Sequence, residues 1–182
     1  AVAAGSARTV ASNGVLVTTT GHIYRQHQQM ARFVARYYDS SAVALNDIGA
    51  VSYRSHARVF DLGGLASIDV TRSRRNGTFD AAFINAWLDT GDVPIAIVFD
   101  AWFTGDRRFH DRWIRVARWI TDTEEIPVEG AVTFYARTLG DAQILGRNIS
   151  AFSPTLPKGV TLELDPQVTV PTSVASAPGD ST

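Results

Sequence analysis

The sequence contains no cysteine, and this absence excludes several kinds of site at once. Disulfides, thiolate metal sites and cysteine nucleophiles all require that residue. Lysine is nearly absent as well, because Lys158 is the only lysine among 17 basic residues. No apolar run approaches the roughly 20 residues that a helix needs to span a bilayer. The formal net charge of −1 also provides no chain-wide attraction to nucleic acid.

The remaining composition is that of a globular chain, with 45% hydrophobic and 19% charged residues. A chain of 182 residues can bury a substantial core and most simply forms one domain. Residues 1–20 are small and polar, which indicates a lead-in segment, whereas residues 21–165 carry the regular apolar patterns of a single α/β domain. Residues 166–182 have few large apolar side chains, so we expect a flexible C-terminal tail.

The apolar spacing predicts helices and strands in alternation. Helices are predicted over 23–38, 48–53, 78–90, 106–120 and 142–152, and strands over 42–45, 58–61, 93–99, 131–137 and 160–164. The polar, basic stretch 69–77 is predicted to be a loop, and Thr78 is predicted to cap the helix after it. Trp119 falls off the apolar stripe of the helix that begins after Asp106, so it is a candidate exposed anchor.

This alternation predicts an α/β fold. We expect three layers, with a mostly parallel sheet and helices on both of its faces. The two late strands, near 132–135 and 160–164, alternate apolar and polar residues, which is compatible with antiparallel strands at the edge of the sheet.

Three of the predicted strands end on an aspartate, at Asp47 (after Asn46), Asp61 and Asp100. In open α/β sheets, ligands bind beyond the carboxyl ends of the strands. If these strands are neighbours, the three carboxylates and Asn46 meet at one rim of the sheet. Glycines for backbone turns and exposed aromatic rings come after the same strand ends: Gly49, Gly63, Gly64, Tyr53 and Trp102.

Several kinds of chemistry suit such a rim. Carboxylates and aromatic rings suit carbohydrate, clustered oxygens can hold Mg²⁺ or Ca²⁺, and two acids can act as general acid and base. A plainer interpretation is that these residues cap helices and close turns. No cofactor is predicted apart from that divalent cation. The sequence has no zinc-protease, serine-hydrolase, dinucleotide or Walker A motif, and His27 lies on an apolar helix stripe as a core or interface residue.

The ordered motifs IYRQHQQMARFVARYY, VALNDIGAVSY, VFDLGGL and IAIVFDAWF resemble a known group of bacterial proteins. They are similar to the soluble C-terminal region of multi-spanning membrane proteins related to GT-C-type glycosyltransferases, over residues 22–137. The resemblance implies an extracytoplasmic or periplasmic location, an upstream transmembrane region of the same polypeptide as partner, and polyprenyl-phosphate-linked sugars as substrates of the whole protein. No catalytic residue carries over, because the family's catalytic acid lies in a loop between transmembrane helices.

We therefore expect an accessory domain that assists the binding of an acceptor glycan or a lipid-linked sugar and is not catalytic alone. A structural or docking module is one alternative. A free-standing carbohydrate-active enzyme that uses the rim aspartates is another, and it requires two carboxylates within roughly 5–10 Å of each other.

Overall fold

The computed structural model describes residues 26–121 and 130–168. The predicted lead-in segment 1–20, the first residues of the first predicted helix and most of the predicted tail lie outside these ranges. Within them, the chain forms one six-stranded sheet with helices packed against it. The fold is therefore α/β, as the sequence predicts.

The helices are α1 (His27–Tyr37), α2 (Gly49–Arg54), α3 (Ile68–Arg75), α4 (Ala81–Thr90) and α5 (Leu139–Phe152). The strands are β1 (Ala42–Leu45), β2 (Arg58–Asp61), β3 (Ile95–Val98), β4 (Ile114–Thr121), β5 (Ala131–Ala136) and β6 (Val160–Leu164). Short 3₁₀ turns connect β3 to β4, at Asp100–Trp102, Gly105–Arg107 and Phe109–Arg112.

The strand order is β2-β1-β3-β5-β4-β6, and the sheet is mixed. The first three strands are parallel, with Leu45 of β1 opposite Asp61 of β2 and Ile97 of β3. The pairs β3–β5, β5–β4 and β4–β6 are antiparallel. The prediction of a mostly parallel sheet is therefore wrong. The two predicted antiparallel strands are present as β5 and β6. Of these two, β6 lies at an edge of the sheet and β5 lies inside it.

The main reason that the sheet is not mostly parallel is the segment after Asp106, for which the sequence predicts a helix. It forms 3₁₀ turns and then strand β4, and Asp106 makes no capping bond. The helical prediction rests on Phe109, Trp113, Val116 and Ile120, whose spacing of three and four imitates a helix. A β-bulge between Arg115 and Ala117 interrupts the alternation by which a strand is recognised.

Trp119 is fully buried in β4, so its prediction as an exposed anchor is wrong. Its ring packs edge-on against Phe134 at a centroid distance of 4.5 Å and stacks on Phe152 at 5.6 Å. Alternate side chains of a strand point to opposite faces of the sheet. The side chain of Trp119 points to the face on which α5 packs, because it contacts Phe152 of that helix.

The stretch predicted as a basic loop, 69–77, is mostly helix α3. Only Val70 and Ser73 of this helix are buried, so its apolar pattern is too weak to be recognised from sequence. Ser67 caps its first turn, accepting from the Val70 amide. The next helix is capped by Asp80, which accepts from the Phe83 amide, and not by Thr78 as predicted.

The core consists of two hydrophobic clusters, and alternate residues of the central strands belong to different ones. Val43 and Leu45 of β1 pack in a cluster with residues of α1 and α5. Ala42 and Ala44 pack in a second cluster with residues of α3 and α4. Ile95 and Ile97 of β3 join the first cluster, and Ala96 and Val98 the second.

Candidate functional site

Asp47, Asp61 and Asp100 lie at or just after the carboxyl ends of three adjacent parallel strands, as the rim prediction requires. The register aligns the ends of β2, β1 and β3, because Leu45 lies between Asp61 and Ile97. Each carboxylate, however, bonds to a different set of partners. The structure thus brings the strand ends together but gives the three side chains separate roles.

Asp61 is buried and fully engaged by the loop after β2. Its Oδ1 accepts from the amides of Gly63 (2.9 Å) and Gly64 (3.0 Å), and its Oδ2 from those of Ala66 (2.6 Å) and Ser67 (3.2 Å). A loop with four convergent amides resembles an anion-binding nest. Here the chain's own carboxylate fills it, so Asp61 is a structural residue.

The glycines of this loop are needed for its shape. A Cβ on Gly63 would lie 2.7 Å from the Asn46 backbone oxygen, closer than such atoms approach. Gly64 has a φ of +83°, a left-handed conformation that favours glycine. Both are among the residues predicted to form structural turns. At Gly49, the third predicted turn glycine, the amide faces Asp47 Oδ1 at 3.4 Å.

Asp47 forms an ion pair with the first residue of α1. The distance from His27 Nδ1 to Asp47 Oδ2 is 3.1 Å, and both side chains are partly shielded from solvent. This hydrogen bond, and to a smaller extent the charge of His27, hold the pKa of Asp47 below its ordinary value. Asn46 beside it is buried, and its Oδ1 accepts from the Phe99 amide at 3.0 Å, which joins β1 to the end of β3.

Asp100 is the rim aspartate that faces a cleft. It opens the 3₁₀ turn after β3, and two hydroxyls of the neighbouring strand β5 hold it. Thr133 Oγ1 donates to its Oδ2 at 2.8 Å, and the Tyr135 hydroxyl donates to its Oδ1 at 3.0 Å. Burial and the negative charge of Asp100 raise the pKa of Tyr135, so this hydroxyl keeps its proton and remains a donor.

The cleft beside Asp100 has a volume of about 670 Å³, within the range of small-molecule sites. Its lining residues come from the turns after β3, from β5, from the first residues of β4 with the residue before them, and from the segment after β6. Its lining is mixed, with carboxylates, arginines and aromatic rings: Asp100, Phe103, Arg108, His110, Asp111, Trp113, Arg115, Tyr135, Asp165 and Gln167.

Two ion pairs hold four of the charged side chains of this lining, two arginines and two aspartates. Arg115 Nε donates to Asp165 Oδ2 at 3.0 Å, which raises the pKa of Arg115. In the turns after β3, Arg108 donates to Asp111 Oδ1 through Nε at 3.3 Å and through Nη2 at 3.1 Å. Both arginines are more than half exposed, and each is held by its aspartate partner.

His110 and Trp113 complete the aromatic part of the cleft. The His110 ring stacks on Tyr135 with a centroid distance of 5.1 Å and an angle of 15° between the planes. Its Nε2 is buried, with no hydrogen-bond partner among the described residues. Trp113 is positioned by a bond from its Nε1 to Asn85 Oδ1 at 3.0 Å, which ties the cleft wall to α4.

Tyr53 and Trp102 are the aromatic residues predicted for the site, and both are exposed, at 92% and 40% respectively. Neither lines the cleft around Asp100. Of the predicted binding residues, Asp100 alone lines the cleft. Sequence reasoning misses His110, Trp113, Arg115, Tyr135 and Asp165. One available signal is the T-x-Y pair at 133 and 135, which places two hydroxyls on one face of a predicted strand.

Two further observations concern the predicted divalent cation and the predicted link to a membrane. In the described ranges 26–121 and 130–168, no group of three or more histidine, aspartate or glutamate side chains is arranged to hold a metal ion. None of the helices in this part of the chain is long and apolar enough to cross a membrane.

The family model described as a domain of unknown function, DUF8728, matches residues 20–137, more than half of the chain. The chain belongs to this family. The DUF8728 region extends from α1 to the end of β5, and it contains Asp100, His110 and Tyr135. Asp165 and Gln167, which close the cleft, lie outside it. No curated protein and no solved structure matches the chain.

Proposed function

We propose that this chain is a carbohydrate-binding accessory domain of a membrane glycosyltransferase, and that the sugar binds in the cleft beside Asp100. The observation that supports the proposal is the lining of that cleft. Carboxylates and arginines offer acceptors and donors for hydroxyl groups, and aromatic rings offer apolar faces to the C–H groups of a sugar. Asp100 is the central acceptor, since Thr133 and Tyr135 hold both of its oxygens in place.

The domain assists binding and does not catalyse transfer alone. The resemblance over residues 22–137 supports this part of the proposal, because the related enzymes carry their catalytic acid elsewhere. The ligand is an acceptor glycan or the sugar of a lipid-linked donor, held near the active site of the membrane-embedded part. The domain then lies on the extracytoplasmic or periplasmic side of the cell membrane.

The upstream transmembrane region of the same polypeptide is the proposed partner. Leu65, in the loop held by Asp61, and Ile68, the first residue of α3, are 78% and 63% exposed and offer two apolar side chains close together in the sequence. We assign this loop to the contact with the membrane-embedded part. Charged substitutions there, such as Leu65→Glu, are expected to weaken activity of the whole enzyme without changing the stability of this domain.

The same proposal includes a three-layer architecture. The two hydrophobic clusters, one with residues of α1 and α5 and the other with residues of α3 and α4, support it. Alternate residues of a strand point to opposite faces of the sheet, so the two clusters fit helices on both faces.

A titration of the isotope-labelled chain with neutral oligosaccharides, followed by NMR, tests the binding function. Saturable shifts at the Trp113 indole and at residues of β5 are expected, and they are expected to disappear in Asp100→Ala. Asp106→Ala is the matched control, because it removes a carboxylate from the same segment without touching the cleft lining. Shifts that are absent, or that survive in Asp100→Ala, would contradict the proposal. Release of shorter sugars during the titration would favour the free-standing enzyme instead.

The membrane part of the proposal has its own test. Fractionation of cells that express the full-length gene product should place the domain in the membrane fraction. External protease should cleave it on intact spheroplasts. A product that remains in the cytosolic fraction would refute the accessory role while leaving sugar binding by the cleft intact.

A structural or docking module is the second candidate, and Asp61 is the observation that favours it. Both oxygens of its carboxylate accept hydrogen bonds from backbone amides. If every cleft variant keeps full activity in the whole enzyme while Leu65→Glu abolishes it, the docking function is the better account.

A further inference from the structure

The charges that line the cleft are not evenly balanced. Its aspartates are Asp100, Asp111 and Asp165, and its arginines are Arg108 and Arg115. One negative charge is therefore left over when each arginine is matched with one aspartate and His110, which also lines the cleft, is counted as neutral. The position of this surplus charge decides which ligands the cleft tolerates.

The ion pairs place the surplus on Asp100. Arg108 Nη2 lies 3.1 Å from Asp111 Oδ1, and Arg115 Nε lies 3.0 Å from Asp165 Oδ2. Asp100 instead accepts hydrogen bonds from the neutral hydroxyls of Thr133 and Tyr135. Hydroxyl donors stabilise a carboxylate but do not cancel its charge.

A ligand in the cleft therefore meets a fixed negative charge in the turn that follows β3. An anionic group placed there is repelled, since like charges in a partly enclosed site are costly. A hydroxyl group can donate to a free lone pair of either Asp100 oxygen, because a carboxylate offers about four acceptor positions. An ammonium group gains the hydrogen bond and the charge attraction together.

We propose that the cleft selects sugars that are uncharged or carry an amine, and that Asp100 excludes sugars with a carboxylate on the ring bound beside it. This selectivity rests on the proposed function, because it presupposes that the cleft binds sugar. Asp100 acts as the specificity-determining residue, and the pairs Arg108–Asp111 and Arg115–Asp165 act by keeping the arginines from compensating it.

Calorimetric titration of the whole chain with matched oligosaccharides tests the selectivity. The ligands are a galacturonate oligomer, its neutral galactose counterpart, a chitosan oligomer with free amines and its N-acetylated form. The uronate is expected to bind about 10-fold or more weakly than its neutral counterpart, a difference of roughly 1.4 kcal/mol. The free amine is expected to bind more tightly than its N-acetylated form.

Asp100→Asn and Asp106→Asn are the matched variants, because both remove one negative charge from the same segment. Asp100→Asn should bring the uronate close to its neutral counterpart, and Asp106→Asn should leave the wild-type ratio unchanged. An equal effect of the two variants would assign the selectivity to net charge and overturn the inference. A uronate that binds wild type as well as its neutral counterpart would overturn it while sugar binding stands. If no oligosaccharide binds, the proposed function and the inference both fail.

Discussion

Asp61 accepts hydrogen bonds from four backbone amides in the loop after β2, at distances from 2.6 to 3.2 Å. Asp100, just after the end of β3 and two strands away in the sheet, accepts from two hydroxyl side chains and faces a cleft. The two carboxylates differ because the next residues in the chain differ. Two glycines after Asp61 let the backbone fold around its carboxylate, whereas the turn at Asp100–Trp102 carries its carboxylate toward β5.

Replacing Asp61 with alanine tests its structural role. Asp61→Ala leaves four buried or partly buried amides without their acceptor, and hydrogen bonds to a charged group contribute about 1.5–3 kcal/mol. We expect the free energy of unfolding, measured in urea, to fall by about 2–3 kcal/mol. Asp106→Ala, at an exposed carboxylate, should change it by less than about 0.5 kcal/mol. Equal stability of the two variants would contradict the structural role.

The ion pair between His27 and Asp47 predicts a dependence of stability on pH. The hydrogen bond from His27 holds the pKa of Asp47 below its ordinary value of 3.8 in the folded state. A lowered folded-state pKa stabilises the fold above the unfolded-state pKa and ceases to do so as the pH falls through the folded-state value. The stability difference between wild type and Asp47→Asn should thus be constant just above about pH 5 and shrink below about pH 4. Urea unfolding from pH 6 to pH 3 measures it, and parallel pH profiles would disprove this role for Asp47.

At the scale of elements, the early part of the chain is predictable because its patterns are local. The predicted strands 42–45 and 58–61 match β1 and β2 residue for residue. The helix predicted to end at Tyr38 ends at Tyr37. The helix presents its apolar residues at helical spacing, and both strands carry consecutive apolar residues bounded by polar or glycine-containing turns.

Elements whose patterns are interrupted or weak cannot be predicted in this way. In β4, the bulge near Arg115 buries Val116 and Ala117 in succession, so the strand loses its alternation. In α3, tertiary bonds replace an apolar stripe. Arg74 donates to the Leu62 backbone oxygen at 2.9 Å, and its guanidinium lies 4.1 Å from the centre of the Phe79 ring.

The assignment of residues 114–121 to a strand can be tested with the tryptophans. Trp119→Ala removes a fully buried ring from among Phe33, Phe134 and Phe152, and should lower the free energy of unfolding by about 3–5 kcal/mol. Trp102→Ala removes a ring that is 40% exposed and should lower the free energy of unfolding much less. Thermal and urea unfolding of both variants measure the difference. The reverse order would support the exposed, helical position that the sequence predicts for Trp119.

The end of α4 allows a second test at this scale. A Cβ on Gly91 would lie 1.9 Å from Cζ of Phe60, so Gly91→Ala forces the ring of β2 away from α4. We expect a loss of about 1–3 kcal/mol in the free energy of unfolding, the usual cost of overpacking. Gly140→Ala, in the first turn of α5, meets its nearest atom at an ordinary 3.7 Å and should be neutral or stabilising. A neutral Gly91→Ala would contradict the packing of β2 against α4.

At the scale of the whole molecule, the cleft lies where the direction of the sheet changes. β3 is parallel to β1 on one side and antiparallel to β5 on the other. Asp100 belongs to the parallel half, and Thr133 and Tyr135 belong to the antiparallel half. The sequence pattern locates the carboxyl ends of the parallel strands correctly. It cannot supply the rest of the site, because Tyr135 reaches Asp100 through the pairing of β5 with β3, and Asp165 reaches the cleft through the pairing of β6 with β4.

The most direct test of the carbohydrate site is a crystal structure of this chain soaked with a neutral oligosaccharide. We expect density for at least one sugar ring in the cleft, with a hydroxyl within hydrogen-bond distance of an Asp100 oxygen and an apolar ring face against an aromatic side chain of the lining. An empty cleft at saturating sugar, or sugar bound only elsewhere, would contradict the assignment of the cleft as a carbohydrate site.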